Sequence, residues 1–202
     1  MSNKFKFIKA SNQSMVENYR LMIASIAPRP IAFVGTQDLK RNDNLAPFSF
    51  FNGFGANPPI IGFSPALSGR TGKPKDTLIN IREVNEFTIS IVSFEMAEQM
   101  SLSSCEFPKG VDEFSKTGFK KNKSELISPY GVAESPVIFE CKLVDIVELG
   151  GKPGSGNLIL GEILAFHIKE DIIINNVLDE ESVDLIGRMG YGNYTRSNKS
   201  VF

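Results

Sequence analysis

Residues 86–93 read Glu-Phe-Thr-Ile-Ser-Ile-Val-Ser. Phe87, Ile89 and Ile91 fall on one side of a period-two pattern, and Thr88, Ser90 and Val92 on the other. Such alternation predicts an antiparallel strand with one buried and one wetter face. Five further runs of β-branched and aromatic residues surround it: 30–36 (PIAFVGT), 44–52 (NLAPFSFFN), 59–64 (PIIGFS), 136–148 (PVIFECKLVDIVE) and 157–169 (NLILGEILAFHIK). Each is a strand candidate. Turn residues divide them, with Arg41-Asn42-Asp43 between two runs and the glycine-rich stretch 150–156 between the last two.

Helices are predicted to be few and short. Ser14 and Glu17 have capping-box spacing, with Tyr19, Met22 and Ile23 following at helical intervals. Other helices are predicted over 77–84, 96–101 and 111–116, the last stopping before Gly118. About six strands with sparse helices point to a mainly β, closed or partly closed antiparallel barrel. With 202 residues the chain is expected to form one domain, 1–202.

Bulk properties exclude several function classes. A net charge of −1 gives no global attraction to nucleic acid or anionic lipid. Cys105, Cys141 and His167 cannot complete a usual zinc set, and no metal is expected. Two thiols suit a reducing compartment better than a disulfide frame. The opening MSNKFKFIKASNQS carries charge where a leader needs an apolar run, and no apolar stretch is long enough to span a bilayer. The expectation is a cytoplasmic protein.

Chemistry concentrates between residues 28 and 80. Pro47 inside an apolar run lacks an N–H for the ladder and should mark an edge or a bulge, where backbone groups are released toward a ligand. Phe48, Phe50 and Phe51 offer either flat contact for a planar ring or ordinary core. Arg70, Lys75, Asp76 and Thr77 stand where a helix begins, with Ser64 ending the strand before them. Cations beside a helix N-terminus suit a phosphate. The alternative is solvated loop charges and an ordinary N-cap.

The segments PRPIAFVGTQD, NLAPFSFFNGF, PPIIGFS, KDTLINI, EFTISIV, GVDEFSKTGF, SPVIFECKL and IGRMGYGNY, in this order, resemble the motifs of the flavin reductase-like family, which includes the flavoredoxins. The resemblance runs over residues 19–194. It implies a six-stranded antiparallel Greek-key split barrel with a few short helices, forming a homodimer with FMN near the interface. Carried over by position, Arg29 and Asn44 are implied as pocket residues, and Ala46, Pro47, Phe48, Ser49, Phe50 and Phe51 as the segment along the flavin. Ser64, Arg70, Lys75, Asp76 and Thr77 are implied at the ribityl-phosphate end, with Asn80 and Arg188 as further candidates. The turn 40–43 departs from the family's glycine-containing pattern, and Asn42 and Asp43 can adopt positive φ in its place. His167 is either a catalytic group near a nicotinamide or a hydrogen-bonded structural residue.

Three functions compete. One is an NAD(P)H-dependent flavin reductase that takes hydride from NADH or NADPH without a Rossmann unit, since no GxGxxG follows a strand. Another is a flavoredoxin-like carrier exchanging electrons with a redox protein partner. The third is a barrel without cofactor.

Overall fold

The computed structural model describes residues 4–105, 107–108 and 110–197, so the first three residues of the opening stretch lie outside it. Seven strands form one sheet: β1 (Ala32–Gln37), β2 (Asp43–Phe48), β3 (Phe51–Ala56), β4 (Pro59–Phe63), β5 (Glu86–Ile91), β6 (Val137–Glu148) and β7 (Asn157–Ile168). Their spatial order is β2-β1-β5-β6-β7-β4-β3, and every pairing is antiparallel. A separate hairpin joins β8 (Leu185–Arg188) to β9 (Tyr194–Ser197).

The six predicted runs become seven strands because 44–52 is not one strand. It breaks at Ser49 and Phe50, leaving β2 and β3 at opposite ends of the strand order. Two adjacent phenylalanines, Phe50 and Phe51, cannot share one face of a period-two strand. The corner is held by Arg29 Nε donating to Ser49 Oγ at 3.3 Å and by the Ser64 N–H donating to the Phe50 carbonyl at 2.9 Å. The sheet therefore rolls into a barrel that stays split between β2 and β3.

Rolling is visible in the core. Phe48 of β2 meets Phe63 of β4 with ring centroids 5.3 Å apart, and Phe63 meets Phe87 of β5 at 5.6 Å. Val34, Ile89, Ile159 and Cys141 join them inside, where burial pushes the Cys141 thiol's pKa up. The long connection from β4 to β5 carries α2 (Asp76–Val84), whose Leu78 and Ile81 plug the barrel and whose Asn85 closes the helix at φ 62°. A second core lies outside the sheet, where Phe33 and Leu45 pack beneath α3 (Ala97–Leu102) and α4 (Glu113–Thr117).

This outer layer corrects the reading of β5 as half-buried. Thr88 and Ser90 are fully buried, because the segment around 130–132 covers their face. Their hydroxyls meet backbone: Thr88 donates to the Tyr130 carbonyl at 2.8 Å, and Ser90 accepts the Val132 N–H at 2.9 Å. Small hydroxyls thus satisfy the covering strand while mimicking a polar surface in sequence.

At the N-terminal side, α1 (Met15–Ser25) begins with the capping box of Ser14 and Glu17. In the turn before β2 the positive φ falls on Arg41, at 63°, rather than on Asn42 or Asp43. The Asp38 carboxylate holds this turn by accepting the Lys40 and Asn42 N–H groups. Gly118 closes α4 at φ 78°. Among the described residues no helix is long and apolar enough to cross a membrane.

Candidate functional site

The free edge of β2 opens into a groove of about 1190 Å³. Along it lie Asn44, Ala46, Pro47 and Phe48, then Phe50, facing Ser64, Arg70, Lys75, Asp76 and Thr77. These ten come from distant stretches of the chain, and rolling of the sheet collects them.

Pro47 fits this edge for a simple reason. The Leu45 N–H points away from β1, toward Glu113 Oε2 at 3.1 Å. Two residues on, Pro47 turns its nitrogen the same way, so the absent donor removes no ladder bond. Pairing with β1 is continuous from Ala32 opposite Phe48 to Gln37 opposite Asp43, so Pro47 marks an edge and not a bulge. The same geometry turns the Leu45 and Pro47 carbonyls away from β1, along the edge of the sheet. Phe50 is half-buried beside them, with the Arg29 guanidinium 5.8 Å from its ring centroid and Tyr19 tilted against it at 6.5 Å.

At the other end, α2 starts at Lys75 without a side-chain cap. The Leu78 N–H of its first turn bonds the Lys75 carbonyl at 3.0 Å, whereas the Asp76 and Thr77 N–H groups have no intrahelical acceptor and carry the positive end of the helix dipole. Lys73 and Lys75 are exposed there, with no side-chain hydrogen bond or ion pair among the described residues. Arg70 lines the same end. The loop is braced by Ser68, whose carbonyl accepts the Gly72 N–H at 2.8 Å, and by a Gly154 N–H bond to the Leu67 carbonyl at 3.1 Å.

A polar knot ties the two ends. Asn44 donates from its amide to Thr36 Oγ1 and to Thr77 Oγ1, each at 3.1 Å, and Asn80 donates to the same Thr36 oxygen at 3.1 Å. Asn44 and Thr77 reach the groove, whereas buried Asn80 stands behind them and does not line it.

Several predicted site residues lie elsewhere. Arg29 is buried and donates to the Ile23 and Ile26 carbonyls at the end of α1, and to the Met189 carbonyl at 3.1 Å. It supports Phe50 from behind the groove. Arg188 bridges to Arg29 through backbone and lies 4.4 Å from the Tyr194 ring centroid, also off the groove. Ser49 sits at the corner under Arg29, and Phe51 faces a separate apolar depression of about 680 Å³ over β3, β4 and β7. His167 does not line the groove. Its Nε2 is 2.5 Å from Glu140 Oε1. Glu140 is fully buried, and burial alone raises a carboxyl's pKa. Here the N–H groups of Glu125 and Leu126 and the His167 ring outweigh burial and hold Glu140 below its ordinary value. The geometry is that of the hydrogen-bonded structural reading.

Two parts of the groove were not foreseen. Met15, Tyr19 and Met22 of α1 form an apolar wall, while Ile23 alone among the helix's residues is buried. Their helical spacing was visible, but it does not say which face meets the protein. Glu113 of α4 also lines the groove. Burial, followed by the nearby Asp112 and Asp76 carboxylates, pushes its pKa up against the Leu45 N–H. In sequence it was one residue of GVDEFSKTGF with no sign of its direction.

Comparisons with known proteins show the family and the fold. Residues 24–191 match the model of the flavin reductase like domain. An uncharacterised protein of Deinococcus radiodurans is 38% identical over 187 residues, covering 89% of this chain and 80% of its own. Nitrilotriacetate monooxygenase component B from Bacillus cereus has 30% identity and a TM-score of 0.94, with 100% of each chain covered. The 2-nitrobenzoate 2-nitroreductase of Pseudomonas fluorescens has 29% identity and a TM-score of 0.87, over 98% of this chain and 94% of that one.

Proposed function

The chain belongs to the flavin reductase-like family, and on that premise we propose that it binds FMN in the groove beside β2 and relays electrons as an oxidoreductase. The observation that carries the reading is one cavity with two matched ends. A strand edge with Phe50 suits a flat, polar-rimmed ring, and the uncapped α2 start with Lys73 and Lys75 suits a dianion. Likeness to a monooxygenase component and to a nitroreductase supports redox chemistry over a purely structural role.

FMN, when bound, supplies the electron transfer itself. The chain's part is to hold and orient. Lys75, Arg70, Ser64 and the first N–H groups of α2 would take the phosphate, with Thr77 and Asn44 fixing the floor beneath. The β2 edge from Ala46 to Phe48, with Phe50, would lie along the ring. The α1 wall of Met15, Tyr19 and Met22 would exclude water from one side. A volume of about 1190 Å³ exceeds the usual small-molecule pocket of roughly 300–1000 Å³, which leaves room for a second substrate such as NADH or NADPH.

The protein is further proposed to work as a homodimer. Phe166 stands more than half exposed at the apolar depression, among Phe51, Ile60, Phe139 and Ile163. Contiguous apolar surface of this kind suits a partner subunit.

The deciding experiment is spectroscopic. Purified protein, alone or after addition of FMN, is expected to retain an oxidised-flavin spectrum through gel filtration. Anaerobic addition of NADH or NADPH should then bleach it rapidly. Bleaching by dithionite alone would favour the flavoredoxin-like carrier with a redox protein partner. A protein that stays colourless with excess FMN would overturn the proposal.

A further inference from the structure

Glu113 stands on the groove wall, and among the described residues no cation is paired with it. Its Oε2 accepts the Leu45 N–H at 3.1 Å. The adjacent Asp112 is treated differently: Lys121 holds it at 2.7 Å and holds Asp43 of β2 at 2.6 Å. That shared ammonium already serves two carboxylates. From α2, Asp76 is near enough to repel Glu113, and Lys75 lines the same cavity. Cys105 lines it too, Lys116 sits in the last turn of α4, and Glu98, the one titratable residue of α3, is exposed. A half-buried carboxylate thus shares one cavity with the end that suits an anion.

We infer that Glu113 is an electrostatic gate on the groove's phosphate-bearing ligand: its ionised carboxylate loosens the ligand, and its protonation tightens it. The inference rests on the proposed binding of FMN in this groove. Two negative groups in one partly desolvated cavity repel more strongly than in water. Burial, and after it the neighbouring carboxylates, push the protonation of Glu113 up from its ordinary value against the Leu45 N–H. Coupling of this kind is reciprocal, so a bound phosphate also raises the proton affinity of Glu113. The chain would hold FMN less tightly when Glu113 is ionised and more tightly when the medium acidifies. The carboxylate would therefore set whether the flavin is an exchanging substrate or a held group.

The test is the dissociation constant of FMN, read from quenching of flavin fluorescence between about pH 5 and about pH 8, for wild type, Glu113→Gln and Glu113→Asp. The second ionisation of the phosphate, near pH 6, strengthens binding as pH rises and is common to all three proteins. Relative to Glu113→Gln, the wild type should therefore gain about tenfold in affinity as pH falls, the equivalent of one unit of pKa coupling. Glu113→Asp, which keeps the charge, should keep the dependence, and riboflavin, which lacks phosphate, should show little of it. Gln retains a carbonyl for the Leu45 N–H, so the fold is expected to survive, and the Asp variant provides a second reading. Parallel pH profiles for wild type and Glu113→Gln, with FMN bound by both, overturn the gate alone. Wild type that binds no FMN at any pH overturns the gate and the proposed function together.

Discussion

Lys75 extends from the start of α2 with its ammonium exposed and without a side-chain partner among the described residues. Its removal should touch ligand binding and almost nothing else. Lys75→Ala is expected to weaken FMN affinity by about tenfold or more, since a hydrogen bond to a charged group is worth roughly 1.5–3 kcal/mol. Its unfolding free energy should move by less than about 0.5 kcal/mol. Calorimetric titration and urea unfolding would check the pair of values. Thr77 is a poorer probe, because it is buried and bonded to Asn44. The opposite pattern belongs to His167. His167→Ala should cost about 1–3 kcal/mol of stability by stripping a partner from buried Glu140, and should leave FMN affinity unchanged. Glu140 also adds a pH dependence. Its folded pKa lies below the ordinary 4.5, so its contribution is present above that value and lost as pH falls through the folded one. Urea midpoints measured from about pH 6 to about pH 3 should decline, and less steeply in Glu140→Gln. None of these fates is visible in the residue letters, because a side chain's partners come from remote positions.

At the scale of elements, the strand pattern was legible wherever a strand has one wet face, and misleading where it does not. Thr88 and Ser90 alternate with apolar residues as solvent-facing positions do, yet they lie under the 130–132 segment and satisfy its backbone. The close approach also explains Gly35 in β1. A Cβ there would stand 2.3 Å from the Tyr130 carbonyl oxygen and 2.5 Å from Thr88 Oγ1. Gly35→Ala is accordingly expected to cost about 1–3 kcal/mol, because backbone must move to admit the methyl. A lowered urea midpoint with an unchanged slope would show it. The break at Ser49 and Phe50 had a local sign in the doublet of aromatic residues, but its consequence is topological. One corner sends β2 and β3 to opposite ends of the strand order, and the edge left at β2 becomes the wall of the groove.

For the whole molecule, the proposed dimer makes a clean prediction. Light scattering should give twice the 22.3 kDa of one chain. Phe166, 54% exposed and packed edge-on against Phe139 at 5.2 Å, lies at the apolar depression. Phe166→Glu should shift the population toward single chains, and a wild type already running as one chain would exclude the dimer. The amino-acid order alone determined the β character, the positions of α1 to α4 to within about two residues, the capped start of α1 and the cluster of cations at the head of α2. Each follows from contacts between residues a few positions apart, through side-chain period, capping chemistry or turn preference. The tertiary structure alone decided that Arg29, Asn80, Arg188 and His167 stand off the groove, and that Met15, Tyr19, Met22 and Glu113 line it. Which way a side chain faces depends on how the sheet rolls and what covers it, and those contacts join residues far apart in the chain.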